Sequence, residues 1–412
     1  MVTTSSLSRR MDRLVRPHVR VLGRKRSSFH VCGLTGLAAA LALASVLAAQ
    51  RDLSAWVLAG AALTACATFL ALAMATKIVT GEEKLIYYHH EVAILTTVTL
   101  MLWAFRQPVL SYLDVTLLGV GTFLFCGRVG CFMVGCCHGR PHRWGVCYRQ
   151  EHADEGFTRP FVGVRLFPIQ LVESAWVFTT VLVGAWMVLR GAPPGAALAW
   201  YVVVYDVGRF GFEFLRGDAR PYRAGFSEGQ WTSLLLMLVV IAGEVRGVIP
   251  SQAWHVAAAA GMVATMIAVT LHRRRRGDSR HRLLSPRHIR EVAEAVDLLA
   301  AAGAPTRTAD GATVVNVART SAGLNISAGA VEETGGVLRH YTLSGNAPWR
   351  RVDADAVGRL LIRLRHPDAS GELVPGREGI FHFLIRTDAG SEGATPVGAG
   401  GAGITSDMAA AR

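Results

Sequence analysis

The chain of 412 residues is 51% hydrophobic and only 18% charged, whereas an ordinary soluble domain carries about 25% charged residues; this excludes a typical soluble enzyme in favour of a membrane protein. A formal net charge of +13 would suit nucleic acid if it lined one folded face, but the basic residues sit beside apolar runs, so no nucleic-acid partner is expected. Seven cysteines, five of them (Cys126, Cys131, Cys136, Cys137 and Cys147) in one short stretch, exclude a secreted disulfide scaffold.

In chain order, residues 1–30 form a basic segment with eight Lys or Arg. Apolar runs then predict eight membrane spans near 31–49, 55–76, 86–104, 113–134, 168–189, 196–215, 231–247 and 253–271, each close to the ~20 residues that cross the hydrocarbon. The first run is long and closely followed by a second, so it is expected to be retained as a helix rather than cleaved as a secretory signal. The expected fold class is an all-α polytopic membrane protein of about 7–8 helices over 31–271, with a small α+β soluble domain over 277–387. In that domain Ser285-Pro286 opens a helix with Ile289, Val292, Val296 and Leu299 at helical spacing. Val314 to Val317 and Val337 to Leu343 read as strands around a Thr334-Gly335-Gly336 turn. Asp353 is the expected N-cap of a second helix lined by Val357, Leu360 and Leu364, with Pro367 as its stop and Ile380 to Ile385 as a last strand. The Gly/Ala/Ser-rich stretch 388–412 carries too little apolar mass to fold and is expected to be disordered.

Ionisable residues are costly at membrane depth, so those inside or at the ends of the spans are the functional candidates. Tyr87-Tyr88-His89-His90-Glu91 opens the third span with two imidazoles able to titrate near neutral pH, or else forms an interfacial aromatic belt. Gly127-Arg128-Val129-Gly130-Cys131, continuing through Gly135-Cys136-Cys137-His138-Gly139-Arg140, ends the fourth. Its glycines permit close approach and its arginines offer forks for a phosphate; Arg128 is the functional candidate, while Arg140 reads as snorkelling to headgroups. Gln170 and Glu173 open the fifth span on one helix face behind Pro168, either as site groups or as an ordinary helix start. Tyr205, Arg209, Glu213 and Arg216 fall along one side of the sixth, where Arg209 and Glu213 either neutralise each other or form a cationic wall for an anionic headgroup. Spans three and five carry their polar groups at their starts, four and six at their ends. All four groups therefore lie on one side of the membrane, which predicts one shared site.

These segments, with Gly229-Gln230, resemble the bacterial prolipoprotein diacylglyceryl transferases over roughly Lys84 to Ser233. The resemblance implies a multi-pass enzyme of the bacterial plasma membrane that moves the diacylglyceryl group of phosphatidylglycerol onto the lipobox cysteine thiol of a prolipoprotein. Arg128 matches the essential arginine of the family's Gly-Arg-x-Gly-Asn signature and Gly139 its closing glycine. Gln170 and Glu173 match Pro-x-Gln-x-x-Glu; Arg209, Glu213 and Arg216 match Gly-Arg-x-x-x-Glu-x-x-Arg; Gln230 matches the glutamine that opens the next span. The pattern departs from the family where Cys131 replaces its asparagine and Cys136 an acidic residue. His89 matches the family's histidine better than His90, without the glycines that follow it there. The implied catalytic set is His89 or His90 as base, Arg128 and Arg209 stabilising phosphate charge, and Glu213, with Glu173, holding the arginines. Gly130, Cys131, Cys136, Gly139, Gln170, Glu173, Tyr205, Arg216 and Gln230 are the substrate-binding candidates. Partners are phosphatidylglycerol or another anionic lipid and a prolipoprotein, and no metal or organic cofactor is implied.

Two other readings stand beside this one. Cys131, Cys136, Cys137 and Cys147 with His138, His142 and His152 offer soft ligands for zinc or copper(I), or a dithiol switch; and a divergent member could transfer lipid to a different acceptor, or be catalytically silent, binding lipid and presenting its C-terminal domain. Counting Lys and Arg, the N-terminal segment and the run Arg273 to Arg276 point inward, whereas the resemblance implies an outward-facing site. That basic run also suggests contact with anionic headgroups.

Overall fold

Hydrocarbon cannot satisfy a backbone N–H or C=O, so apolar runs of this length are driven into helices that bond within themselves. The computed structural model describes residues 6–81, 87–276, 279–303, 306–307, 313–333, 336–345, 349–367, 369–377 and 379–388. Helix α1 (Ser6–Leu14) and the hairpin β1 (His18–Val21) and β2 (Arg24–Ser27) precede α2 (Ser28–Gln50), α3 (Ala55–Thr80), α4 (Tyr87–Ala104) and α5 (Val109–Val134). A folded excursion holds β3 (Pro141–Cys147), α6 (Gln150–Ala153), a 3-10 turn at Arg159–Phe161 and β4 (Arg165–Leu166). Then come α7 (Ile169–Leu189), α8 (Ala196–Phe212), the hairpin β5 (Tyr222–Arg223) and β6 (Phe226–Ser227), α9 (Glu228–Val245) and α10 (Ala253–Arg276).

A helix stands at each of the eight expected spans, and six of them (α2, α3, α5, α7, α9 and α10) are long and apolar enough to cross a membrane. The other two, α4 and α8, are the helices that carry His89, His90, Glu91, Asp206 and Arg209. Helix α5 is the hub of the bundle: Tyr112, Val115, Leu117 and Leu118 are fully or almost fully buried, and α2, α7 and α8 pack around it. At its far end the Asp114 carboxylate accepts the backbone N–H groups of Gly195 (2.8 Å) and Leu198 (2.7 Å), so one helix caps the start of another. Helix α10 is tied to α9 by a buried pair, His255 Nδ1 and Glu244 Oε1 at 2.5 Å.

The C-terminal domain contains α11 (Ser279–Leu283), α12 (Pro286–Ala302), a short pair β7 (Thr306–Arg307) and β8 (Thr313–Val314), then β9 (Val317–Arg319), β10 (Leu324–Glu333), β11 (Gly336–Gly345), α13 (Arg351–Arg365), β12 (Ser370–Pro375) and β13 (Ile380–Asp388). Five strands form an antiparallel sheet in the order β12-β13-β11-β10-β9, with α12 and α13 packed on it. Ser285 caps α12 through its hydroxyl, as expected. The other local details differ. Val314 to Val317 is not one strand: it is split between β8 and β9, which pair with different partners. Strand β10 went unpredicted because its sequence, Leu-Asn-Ile-Ser-Ala-Gly-Ala, alternates with small residues instead of branched ones. Asp353 lies inside the first turn of α13, where it accepts from Arg350 Nε at 3.1 Å, and the N-cap is Arg350. The expected turn residues Thr334 and Gly335 and the tail beyond Asp388 lie outside the described residues.

The N-terminal basic segment is folded as well. Ser8 Oγ accepts from the Gly145 N–H (3.2 Å), Asp12 accepts from the Cys147 N–H (2.8 Å), and Asp12 pairs with Arg165. One apolar cluster joins Met11 and Val15 to Tyr148, Phe157 and Phe161 of the excursion and to Ile289, Val292 and Leu360 of the C-terminal domain. Helix α1 and the C-terminal domain thus both pack on the excursion between α5 and α7, on one face of the bundle. Arg273 does not reach outward to lipid: it donates to the Gly225 carbonyl (2.6 Å) and lies over the Phe226 ring.

Candidate active site

Three arginines from two helices and a turn converge on one carboxylate. Arg128 near the end of α5 and Arg209 near the end of α8 reach Glu173 Oε1 at 3.1 and 3.3 Å, and Arg216 Nη1 donates to Oε2 at 3.2 Å. The Tyr205 hydroxyl donates to the same Oε1 at 3.3 Å, and Glu173 itself is wholly buried. Arg209 also pairs with Glu213 (2.7 Å), Arg220 links Glu213 (3.0 Å) to Asp218 (2.9 Å), and Asp218 accepts from Arg216 Nε (3.1 Å). The network therefore counts four guanidiniums against three carboxylates, one positive charge in excess. Arg128 Nε and Arg216 Nη2 are buried with no hydrogen-bond partner among the described residues, donors left for an anion. Burial would raise the Asp218 carboxyl, but Arg216 and Arg220 hold it below the usual carboxylate range.

The backbone is built to bring these groups together. Helix α8 ends at Phe212, so the single helix expected to carry Tyr205 through Arg216 stops short; Glu213 sits at its C-cap, and Arg216 is delivered by a bridge to Gly139. A side chain at Gly139 would place its Cβ 2.4 Å from the Phe167 carbonyl, which is why a glycine stands where the three backbone segments cross. Gln170 donates to the Cys136 carbonyl at 2.8 Å and fixes the loop after α5. Arg209 and Glu213 are thus paired, one of the two arrangements expected of them, within a larger network of arginines.

Other candidates fall elsewhere. Gly130 packs against Phe29 and Cys32 of α2 and does not face the network. Gln230 forms a capping box with Ser227 and donates to the Phe210 carbonyl (3.3 Å), so it anchors α9 to α8. Arg140 does not snorkel to headgroups; its Nη1 donates to the Leu284 carbonyl (3.1 Å) beneath the C-terminal domain. His89 is exposed and stands 3.5 Å from Glu228 Oε1, whereas His90 is buried with its ring 4.7 Å from that of Phe69. His89 is therefore the imidazole open to solvent, and Glu228 immediately precedes Gly229, where a Cβ would stand 3.2 Å from Glu213 Oε1.

Sequence reasoning missed Asp218 and Arg220, whose signal was the alternation Arg216-x-Asp218-x-Arg220 just past a span, and Asp206, a buried acid three residues before Arg209. It also spread the soft ligands too widely. The structure gathers Cys131, Cys136 and Cys137, with their sulfur atoms all within 4.8 Å of one another, and leaves Cys147 and the histidines out of that group. His138 donates from Nδ1 to the Gly139 carbonyl, and burial pulls its pKa below the usual histidine value. Hydrogen bonds from the Cys131 and Cys136 thiols, aided by Arg216 and Arg128, draw the Cys137 thiol well below the usual thiol range.

Fold and site define a polytopic membrane protein whose helices end on a buried, net-cationic network at one membrane face. The family model described as prolipoprotein diacylglyceryl transferase matches residues 31–246, more than half of the 412-residue chain, and the chain belongs to that family. It is similar to the phosphatidylglycerol–prolipoprotein diacylglyceryl transferase of Clostridium tetani, 32% identical over 137 residues covering 32% of this chain and 52% of the relative. It is also similar to transferase 2 of Clostridium perfringens (28% over 135 residues, 32% and 50%) and of Streptomyces coelicolor (30% over 140 residues, 33% and 43%). The chain thus spans about half the length of these curated relatives. Helix α10 and the C-terminal domain lie beyond the matched residues.

Proposed function

We propose that this protein transfers the diacylglyceryl group of phosphatidylglycerol to the cysteine thiol of a prolipoprotein, as the names of its relatives describe for them. The carrying observation is the convergence of Arg128, Arg209 and Arg216 on Glu173 with two buried N–H donors left unpartnered. A phosphodiester seated on those donors becomes a leaving group whose negative charge grows as the glyceryl carbon is attacked, and preorganised guanidiniums stabilise that charge without reorganising. Glu173 holds the three arginines apart and aimed, since unpaired they would repel one another at this depth. His89 is the base within reach of solvent, and Glu228 orients its ring. The acceptor thiol loses its proton, its sulfur bonds to the glyceryl carbon, and glycerol phosphate leaves with the electron pair of the broken C–O bond.

The reading requires this face of the bundle to be the outer face of the plasma membrane, and the short connections support that. The four far-side turns at 51–54, 105–108, 190–195 and 246–252 each carry one arginine (Arg51, Arg106, Arg190 and Arg246) against a single acid, Asp52. The basic residues that count the other way belong largely to folded segments, which cross membranes with little regard to charge. Complementation of a bacterium depleted of its own transferase tests the activity: the parent chain restores growth and lipid-modified prolipoprotein, Arg128→Ala and Arg209→Ala do not. Failure of a well-inserted parent sinks the reading.

A further inference from the structure

We infer that Cys131, Cys136 and Cys137 form a tris-thiolate site for zinc(II) whose open fourth position takes the acceptor thiol. The inference rests on the transferase reading only for the identity of that fourth ligand. Three thiols gather where a disulfide would use two and strand the third, and all seven cysteines are free thiols. Zinc–sulfur bonds of about 2.3 Å place tetrahedral ligands about 3.8 Å apart, so sulfur atoms already within 4.8 Å need to close by about 1 Å or less.

The loop is shaped for this. Cys131 lies in the last turn of α5, and Gly135 (φ 87°) ends that helix by donating to the Cys131 carbonyl at 2.9 Å. Cys137, not a glycine, is held at φ 53°, a conformation with a steric cost that persists where the surroundings impose it. Together these positions fold Cys136 and Cys137 back onto Cys131. A Cβ at Gly135 would stand 2.7 Å from the Phe157 ring, and Gln170 pins the Cys136 carbonyl, so the turn is locked from both sides. Cys131 is buried, Cys137 half-buried and Cys136 exposed, which leaves one approach from outside.

Three protein ligands with a vacant position is the arrangement of catalytic rather than structural zinc. A thiol binding there gives up its proton on coordination, by way of solvent to the base His89. The zinc-bound thiolate then attacks the glyceryl carbon: the S–C bond forms, the C–O bond to phosphate breaks, glycerol phosphate leaves with the electron pair, and the neutral thioether dissociates from the metal. Arg128 stands three residues before Cys131 on α5, one helical turn away, which sets a guanidinium beside the negatively charged site.

The test uses the full chain purified in detergent. Elemental analysis after equilibration with zinc should give one zinc per chain, lost in Cys131→Ser and Cys136→Ser and unchanged in Cys147→Ser, each variant first shown to be folded by its elution profile and melting curve. Cobalt(II) in place of zinc should give thiolate-to-metal absorption, and a lipobox peptide should shift its visible bands where the same peptide with serine for cysteine does not. Absence of metal with three freely titrating thiols, a disulfide among them, preference for copper(I) when both ions are offered, or no spectral response to the cysteine peptide would overturn the proposal. Zinc bound with failed complementation defeats the transferase reading and leaves the metal site standing; full complementation by zinc-free variants does the reverse.

Discussion

Glu173 is the residue on which the network depends, because it forms ion pairs with three guanidiniums, each within 3.3 Å. Glu173→Gln keeps the shape and removes the charge, leaving Arg128, Arg209 and Arg216 as mutually repelling buried cations; breaking a buried pair in this way costs about 3–5 kcal/mol. A lowered melting temperature in detergent and lost complementation are the expected outcomes, and a variant with the parent's melting curve would mean that the arginines are not held by this carboxylate. In the C-terminal domain, burial and then the neighbouring Arg339 and Arg365 push the His366 pKa down to about 4. The unfolded chain therefore binds a proton that the folded one refuses, so stability is full above the ordinary histidine range and is lost as pH falls from about 6.5 towards 4. Since His366 keeps some exposure, the loss is on the order of 2 kcal/mol. The same ring shares a hydrogen bond with the Tyr341 hydroxyl at 2.9 Å. Melting temperatures measured across that window should slope more steeply for the parent than for His366→Gln; equal slopes would place the titration elsewhere.

Among the elements, α5 serves both ends of the molecule. Its last turns carry Arg128 and Cys131, while Asp114, fourteen residues or about 21 Å before Arg128, caps α8 on the opposite face. Asp114→Ala strips two charge-assisted bonds from the α8 N-terminus, each worth about 1.5–3 kcal/mol. It should lower thermal stability in detergent while the folded fraction still complements. Loss of function at unchanged stability would instead link this end of the helix to the site. Helix α8 illustrates where periodicity stops being informative. Tyr205, Arg209, Glu213 and Arg216 do converge, but the last two do so after the helix has ended, through a turn whose path Gly139 and Gly217 allow.

For the whole molecule, an even number of spans returns the chain to its starting face, and α1, the excursion and the C-terminal domain share one apolar cluster there. Helix α10, beyond the family match, is what brings the C-terminal domain back to the site side. The proposed activity places that side outside the cell. Alkaline phosphatase fused after Arg412 should be active and green fluorescent protein fused at the same point dark; the opposite pattern would remove access to an emerging prolipoprotein.

Hydropathy and the cost of charge in hydrocarbon made the membrane domain, the eight helices and most of the site residues legible in the sequence, because both are one-dimensional signals: a run of apolar residues, and a charge that interrupts it. The roles of those residues were less legible. That Gly130 packs on α2, that Gln230 is a cap, that Arg140 supports a domain, and that three of the cysteines meet while Cys147 does not, depends on contacts between segments distant in the chain. Sequence spacing orders residues along one helix, but which groups share a buried volume is decided only when helices, loops and the N-terminal segment pack against one another, and it is in that shared volume that charges pair and donors are left over.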